Sequence, residues 1–143
     1  MYDFVGDIHG YAENLKSSLK ALGYNQQNGV WSHPTRKLFS VGDLVDKGPL
    51  QKEVVDIIKS MHEADSAQVI MGNHEFNAVA YYLKNESGEY LRPHTKSNRK
   101  QHLHFLKAAE ADLRWYTSTI EWFMSLPLFV ETDSFRCIHA AWD

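Results

Sequence analysis

Four short apolar runs, each ending on a polar motif, constrain this 143-residue chain more than any other feature. Tyr2-Asp3-Phe4-Val5 leads into Gly6-Asp7-Ile8-His9-Gly10, and Leu38-Phe39-Ser40-Val41 into Gly42-Asp43-Leu44-Val45-Asp46-Lys47-Gly48. Gln68-Val69-Ile70-Met71 precedes Gly72-Asn73-His74-Glu75, and Phe135-Arg136-Cys137 precedes Ile138-His139-Ala140. Runs this short, rich in β-branched and aromatic residues, read as buried strands. Helical patterns follow the first three motifs, and that alternation predicts an α/β fold with a largely parallel sheet. Sheets of this kind bind ligands at the carboxyl ends of their strands. With all four runs in one sheet, Asp7, His9, Asp43, Asn73, His74 and His139 converge on one place.

Carboxylate, imidazole and amide oxygen, with no thiolate, suit hard or borderline divalent ions such as Mn²⁺, Zn²⁺ or Fe²⁺. Asp7 and His9 lie two apart on an extended segment, point the same way and make one half-site. Asn73 and His139 make a second, and Asp43 is the natural bridge because a carboxylate offers two oxygens. Bridged ion pairs sit about 3.5–4 Å apart and activate a shared water at neutral pH. Glycines ahead of Asp7, Asp43 and Asn73 let the chain turn sharply where each strand ends. The positive amino ends of the helices that follow favour an anionic substrate, phosphate first.

The set GDIHG, GDLVDKG, GNHE and a later HA resembles the calcineurin-like metallophosphoesterases over residues 2–142. Within that family it looks most like the branch of bacterial serine/threonine phosphatase-like and diadenosine tetraphosphate hydrolase-like proteins. The resemblance implies a β-sandwich flanked by helices. It implies an enzyme that hydrolyses phosphate mono- or diesters or anhydrides by in-line attack of a hydroxide bridging two metal ions. Manganese is the expected ion, with iron or zinc as the other choices. Asp7, His9 and Asp43 match the ligands of the first ion; Asp43, Asn73 and His139 match those of the second. His74 matches the general acid that protonates the leaving oxygen, and Asp46 the carboxylate that orients it. The implied substrate is a phosphorylated small molecule, a dinucleoside polyphosphate or a phosphoprotein.

Departures from the family pattern narrow the expectation. Lys47 stands where the protein phosphatases carry Arg; it keeps the charge for a substrate phosphate but loses bidentate recognition. Met71 stands where they carry a second Arg. The missing phosphate clamp argues against a standard phosphoprotein phosphatase and leans toward the dinucleotide-hydrolase-like or an unassigned bacterial branch. The family also supplies a further metal-binding histidine in a Gly-His motif well beyond the HA position, which this sequence does not contain. The chain is therefore expected to be the amino-terminal portion of one metallophosphoesterase domain, incomplete at its carboxyl end. An uncovered strand edge or apolar face would then invite self-association. The alternative function is a non-catalytic metal- or phosphate-binding fragment whose second site lacks a ligand.

Composition, at 43% hydrophobic and 13% aromatic residues, fits an ordinary soluble globular protein. The single cysteine, Cys137, excludes an internal disulfide, and its place in a strand reads as an inert buried thiol. A net charge of −3 gives no case for nucleic acid or an anionic membrane as partner. No apolar run is long enough to cross a bilayer, and a first strand at Tyr2 leaves no room for a signal peptide; the cytoplasm is expected.

Helical spacing predicts a helix over residues 11–22, closed by Gly23, and a loop over 25–34 with a brief strand at Val30-Trp31. A second helix is expected from Pro49 to about 64, burying Val54, Ile57, Ile58 and Met61. A third starts near His74 and carries Phe76, Val79, Ala80 and Leu83 inward. Glu75 is expected to serve as a first-turn carboxylate favoured by the helix dipole. Ser125-Leu126-Pro127 ends the last helix, and Thr132-Asp133-Ser134 turns a hairpin. Residues 85–107 form a variable, basic, histidine-rich insert, either a solvated helix start or a holder of remote phosphate groups. His33, His62, His94, His102 and His104 are expected at the surface. Trp31, Trp115 and Trp122 are expected in the core or at an interface, and Trp142, just past the last motif, is the one candidate to line the pocket.

Overall fold

The computed structural model describes residues 1–139; Ala140 of the last motif and Trp142 lie outside the described residues. In chain order the elements begin β1 (Tyr2–Val5), α1 (Ala12–Ala21), β2 (Asn25–Gln27), β3 (Val30–Ser32) and β4 (Lys37–Ser40). They continue α2 (Gln51–Glu63), β5 (Ala67–Val69), α3 (Asn73–Tyr82), α4 (Lys96–Gln101) and α5 (Leu103–Ala111). Last come α6 (Leu113–Ser125), β6 (Phe129–Glu131) and β7 (Arg136–Ile138).

Three of the apolar runs form one parallel sheet in the order β1-β4-β5, with Asp3 opposite Leu38 and Leu38 opposite Ala67. All three motifs consequently leave the sheet at the same end. Helix α1 buries Ala12, Leu15 and Leu19 at helical spacing. It stops at Gly23, whose φ of +92° closes the helix as a residue without Cβ readily does. Helix α2 buries Val54, Val55, Ile58 and Met61, while Ile57 is only half-buried. Leu38, Val54, Ile58, Phe105, Ile120 and Phe123 belong to one core that ties the sheet to the helices. Helices α4 and α6 open on side-chain caps, Thr95 accepting from Asn98 N at 3.1 Å and Asp112 from Trp115 N at 3.0 Å.

The fourth run does not join this sheet. β7 pairs antiparallel with β6, placing Ile138 opposite Phe129 in a separate hairpin. Aromatic packing fastens that hairpin to the sheet: the Phe135 ring lies 5.4 Å from Phe4 and 5.8 Å from Phe39 between centroids. The hairpin turns at residues 132–134 as expected, with Thr132 Oγ1 accepting from Ser134 N and Phe135 N. Phe4, Leu128, Phe129 and Ile138 stay exposed around it, an uncovered apolar surface of the kind the sequence suggested.

Two further expectations need correction. The 25–34 loop is a β2–β3 hairpin with Gln26 opposite Trp31. Its turn is Asn28-Gly29, both at positive φ (54° and 81°), the left-handed pair that a two-residue hairpin turn demands. Helix α3 presents a different face from the one expected. Phe76 points outward at 53% exposure, and Glu75, Ala78 and Tyr81 are the buried residues. Burial here follows polar partners at the helix start, so apolar periodicity misread it by one position.

Candidate metal centre

The first two motifs are stitched together by backbone. Ile8 N and His9 N both donate to Asp43 O (3.0 and 2.9 Å), Gly10 N donates to Leu44 O, and Gly48 N donates to His9 O at 2.7 Å. The two loops adopt left-handed backbone at His9, Asp43, Asp46 and Lys47, with φ between 47° and 68°. Non-glycine residues rarely hold such angles unless surroundings impose them. Two buried side chains do so here. Glu75, wholly buried, accepts from Asp43 N at 2.6 Å, Leu44 N at 2.9 Å and Gly72 N at 3.0 Å. Gln51 accepts from Asp46 N at 2.7 Å and donates to Gly48 O at 2.8 Å and Asp46 O at 3.1 Å. Glu75 does occupy the first turn of α3 as expected, but its partners lie mainly in the second motif.

Gly42 has φ +89°, and a Cβ there would stand 2.7 Å from Gly72 Cα and 2.8 Å from Ile70 O. Both atoms belong to the backbone that joins β5 to α3, which cannot yield to it. Gly42→Ala is expected to lower stability by about 2 kcal/mol or more, read as an earlier midpoint in urea unfolding at unchanged slope. An unchanged midpoint would show that the loops tolerate a different crossing.

The side chains carried on these loops converge. Asp43 Oδ1 accepts from His74 N at 3.0 Å, so the amino end of α3 holds one of its oxygens. Its other oxygen, Oδ2, lies 2.9 Å from His139 Nε2. Asp43 belongs to two groups whose ligand atoms lie within 4.8 Å of one another, one with His9 and His74, the other with Asp7 and His139. His139 thus reaches the site although its strand stays outside the sheet. Asp7 is exposed, 3.7 Å from His9 Nε2. Asn73 is the first residue of α3, between Gly72 and His74. Lys47 is exposed, next to Asp46 in the turn.

Donor geometry tests whether a cation suits this place. His9 Nδ1 lies 2.9 Å from Val45 O, and His139 Nδ1 lies 2.6 Å from Val41 O. A carbonyl only accepts, so each Nδ1 carries the proton and each Nε2 is left toward the carboxylates. Ligand histidines are fixed in this way in metal sites generally. At 2.9 Å, a bare His139 Nε2 and Asp43 Oδ2 would oppose two lone pairs; either a second proton or a cation must come between them. The donor set fits divalent ions.

Asp46 is buried and stands behind His74. Its Oδ2 lies 2.6 Å from His74 Nδ1, leaving His74 Nε2 toward the ligand cluster. Its Oδ1 lies 2.6 Å from Nδ1 of His102, which is 3% exposed. The surface expectation fails for His102: it sits at the α4–α5 junction of the insert with its ring stacked on Phe105. A periodic signal was present: His102 stands three, four and seven residues before Phe105, Leu106 and Ala109, the buried face of α5. Trp31, Trp115 and Trp122 are buried as expected, and His104 is exposed.

Electrostatics follow these contacts. The hydrogen bond to Asp46 holds His74 above the usual imidazole value despite partial burial. Burial opposes the charge on Asp46, but hydrogen bonds from His102 and His74 outweigh it and hold the carboxyl below its usual value. Glu75 is pushed up to about 7, by burial first and by the charge of Asp43 second. A cleft of about 780 Å³ between the start of α2 and α5 contains none of the candidate ligands. The convergence of donor atoms, and not cavity size, marks the site.

Comparison with known proteins agrees with this picture. The profile of the calcineurin-like phosphoesterase family matches residues 2–141. An asymmetrical bis(5'-nucleosyl)-tetraphosphatase of Geobacillus sp. (strain WCH70) is 46% identical over 83 residues, 57% of this chain and 34% of the relative. A symmetrical bis(5'-nucleosyl)-tetraphosphatase of Vibrio parahaemolyticus is 32% identical over 97% of this chain and 45% of the relative. The chain thus spans between about a third and a half of the length of these relatives. A serine/threonine phosphatase from Saccharomyces cerevisiae shares the fold at TM-score 0.62 and 19% identity, covering 90% of this chain and 33% of that one. A metallophosphoesterase from Sphaerobacter thermophilus does so at 0.59 and 16%, covering 94% and 44%. With its motifs in order and their side chains gathered at one end of a parallel sheet, the chain belongs to the calcineurin-like phosphoesterase family.

Proposed function

We propose that this site hydrolyses phosphate esters or anhydrides with two divalent ions, manganese first, and that dinucleoside polyphosphates are its preferred substrates. The observation that carries the reading is that Asp43 is shared by two groups of candidate ligand atoms, one with His9 and His74 and the other with Asp7 and His139. Asp7, His9 and Asp43 would hold one ion, and Asp43, Asn73 and His139 the other. When bound, the ions lower the pKa of water and draw charge from the phosphoryl oxygens. The chain's own residues do the rest. Asp46 keeps Nδ1–H of His74 pointed at itself, which aims the second ring nitrogen at the leaving oxygen. As the bond from phosphorus to that oxygen breaks, the proton on His74 Nε2 passes to it. Lys47, exposed at the rim, would meet a non-reacting phosphate as a point charge. The tetraphosphatase relatives support the substrate class, as does Met71 at the position where an arginine clamp is expected in the protein phosphatases.

The test is to strip the chain with chelator, restore Mn²⁺, Zn²⁺ or Fe²⁺ singly, and follow hydrolysis of p-nitrophenyl phosphate and diadenosine tetraphosphate. Turnover that needs added metal and favours the dinucleotide is expected. A folded chain that binds two ions yet hydrolyses neither compound overturns the reading. The second reading, a non-catalytic metal- or phosphate-binding protein, draws on the exposure of Asp7 and Asn73, which leaves each proposed ion with one solvent-exposed ligand. It predicts one ion or none per chain.

A further inference from the structure

We infer that His102, supplied by the 85–107 insert, is a positioning residue that fixes the general acid through Asp46; the inference rests on the role proposed above for His74. The Asp46 carboxylate is held at both oxygens, by His74 Nδ1 on Oδ2 and by His102 Nδ1 on Oδ1, each at 2.6 Å. A carboxylate only accepts, so both nitrogens donate, and bonds this short to an ionised acceptor are strong and directional. Held at Oδ2 alone, the carboxylate plane could swing about its Cβ–Cγ bond. Held at both ends, it keeps one orientation, and the His74 ring must follow it. Backbone constraints point the same way: Asp46 has φ +67°, and its N–H is bound by Gln51.

The His102 ring is itself well anchored. It stacks on Phe105 at 4.7 Å and leans on Tyr81 at 5.3 Å between centroids. Its Nε2 has no hydrogen-bond partner among the described residues, so the Asp46 contact is the polar reason there for a buried histidine at this position. A purely space-filling role would favour an apolar ring beside Phe105, since an unpaired buried nitrogen carries a desolvation cost. The side chain whose placement the chemistry needs is thereby tied to the part of the chain least like the family pattern. Proton transfer is where this shows, because only that step depends on the direction of His74 Nε2.

The test compares His102→Asn with His102→Gln and His102→Leu. The amide nitrogen of Asn falls near the position of Nδ1 and can still reach Asp46 Oδ1; that of Gln falls near Nε2 and cannot. Each metal-loaded variant hydrolyses two monoesters, p-nitrophenyl phosphate with a leaving group that needs no proton and an alkyl phosphate that needs one. His102→Leu and His102→Gln are expected to lower kcat on the alkyl ester by about 10²-fold at unchanged KM, with a far smaller fall on the nitrophenyl ester. His102→Asn should recover most of the loss. A second readout needs neither metal nor turnover. In the stripped chain, the His74 Nδ1 proton should give a far-downfield proton resonance that Leu and Gln move and Asn keeps. Equal losses on both esters, or a His74 resonance unmoved by Leu, overturn the inference. Wild-type inactivity on both esters would count against the phosphoesterase reading alone, leaving the resonance to decide the role of His102.

Discussion

Replacing Asp43 by asparagine is expected to abolish metal-dependent turnover, by at least about 10³-fold, while the fold survives. Both carboxylate oxygens are in use: Oδ1 takes the N–H of His74 at the start of α3, and Oδ2 faces His139 Nε2 at 2.9 Å. An amide keeps one oxygen. If that oxygen stays with the His74 N–H, the NH₂ group turns toward His139 and toward both candidate ion positions, where it can donate but cannot ligate. The reverse orientation sets two donors against each other at the helix end. In either case the bridge and its charge are lost together. The loops should keep their shape, because Glu75 binds the backbone N–H of Asp43 and not its side chain. Metal content measured after gel filtration should fall from two ions per chain to one or none. Turnover within tenfold of wild type at full metal content would show that Asp43 does not bridge.

Much of this architecture is written in local sequence, and what is not depends on tertiary partners. Strands β1, β4 and β5 could be read because short apolar runs mark strands, most deeply buried in β4 and β5, and because the crossing after β4 and β5 leaves no room for a Cβ at Gly42 or Gly72. The same logic would admit the fourth run to the sheet, but it stays in the hairpin that its turn residues mark, and the aromatic patch of Tyr2, Phe4 and Phe39 takes Phe135 from there. The Asn28-Gly29 turn was a legible signal, overlooked because the strand before it, Asn25–Gln27, is entirely polar and exposed. Gln51, Glu75 and His102 share one feature: each is polar yet three residues ahead of a buried apolar residue of its helix (Val54, Ala78 and Phe105), so spacing places them inside while only the fold supplies their partners. Asp46 shows the boundary. Its link to His74 was expected from the motif pattern, whereas its link to His102, 56 residues away, came only with the fold.

Removing the Glu75 carboxylate is expected to be the most destabilising single change near the site that touches no candidate ligand. Glu75→Ala leaves the N–H groups of Gly72, Asp43 and Leu44 without their acceptor in a fully buried place. At about 1–3 kcal/mol for each donor so stranded, and with partial entry of water, the loss should be about 3 kcal/mol or more. For a chain of this size that lowers Tm by about 10 °C.

Glu75→Gln removes the charge but keeps one acceptor oxygen, setting its NH₂ against at least one of the three N–H donors, and pH separates the two effects. Glu75 is pushed up to about 7 in the folded chain, above its ordinary 4.5, so folding favours its protonated form. The associated stability is complete below about pH 4.5 and is lost as pH rises through about 7. His74, held above its ordinary 6.5, acts in the same direction at the upper end of that window. Asp46, held below its usual value, changes only in more acid solution. The metal-free chain should therefore lose about 3 kcal/mol of stability between pH 5 and 8. Glu75→Gln has nothing to titrate there: it should start less stable at pH 5, hold a flatter line, and meet or pass the wild type near pH 8. Added Mn²⁺ should flatten the wild-type line as well, because a cation on Asp43 offsets the charge that raises Glu75. Thermal melts in chelator at four pH values decide it, and parallel lines for wild type and Gln would mean that Glu75 stays ionised throughout, held by its three N–H donors against burial.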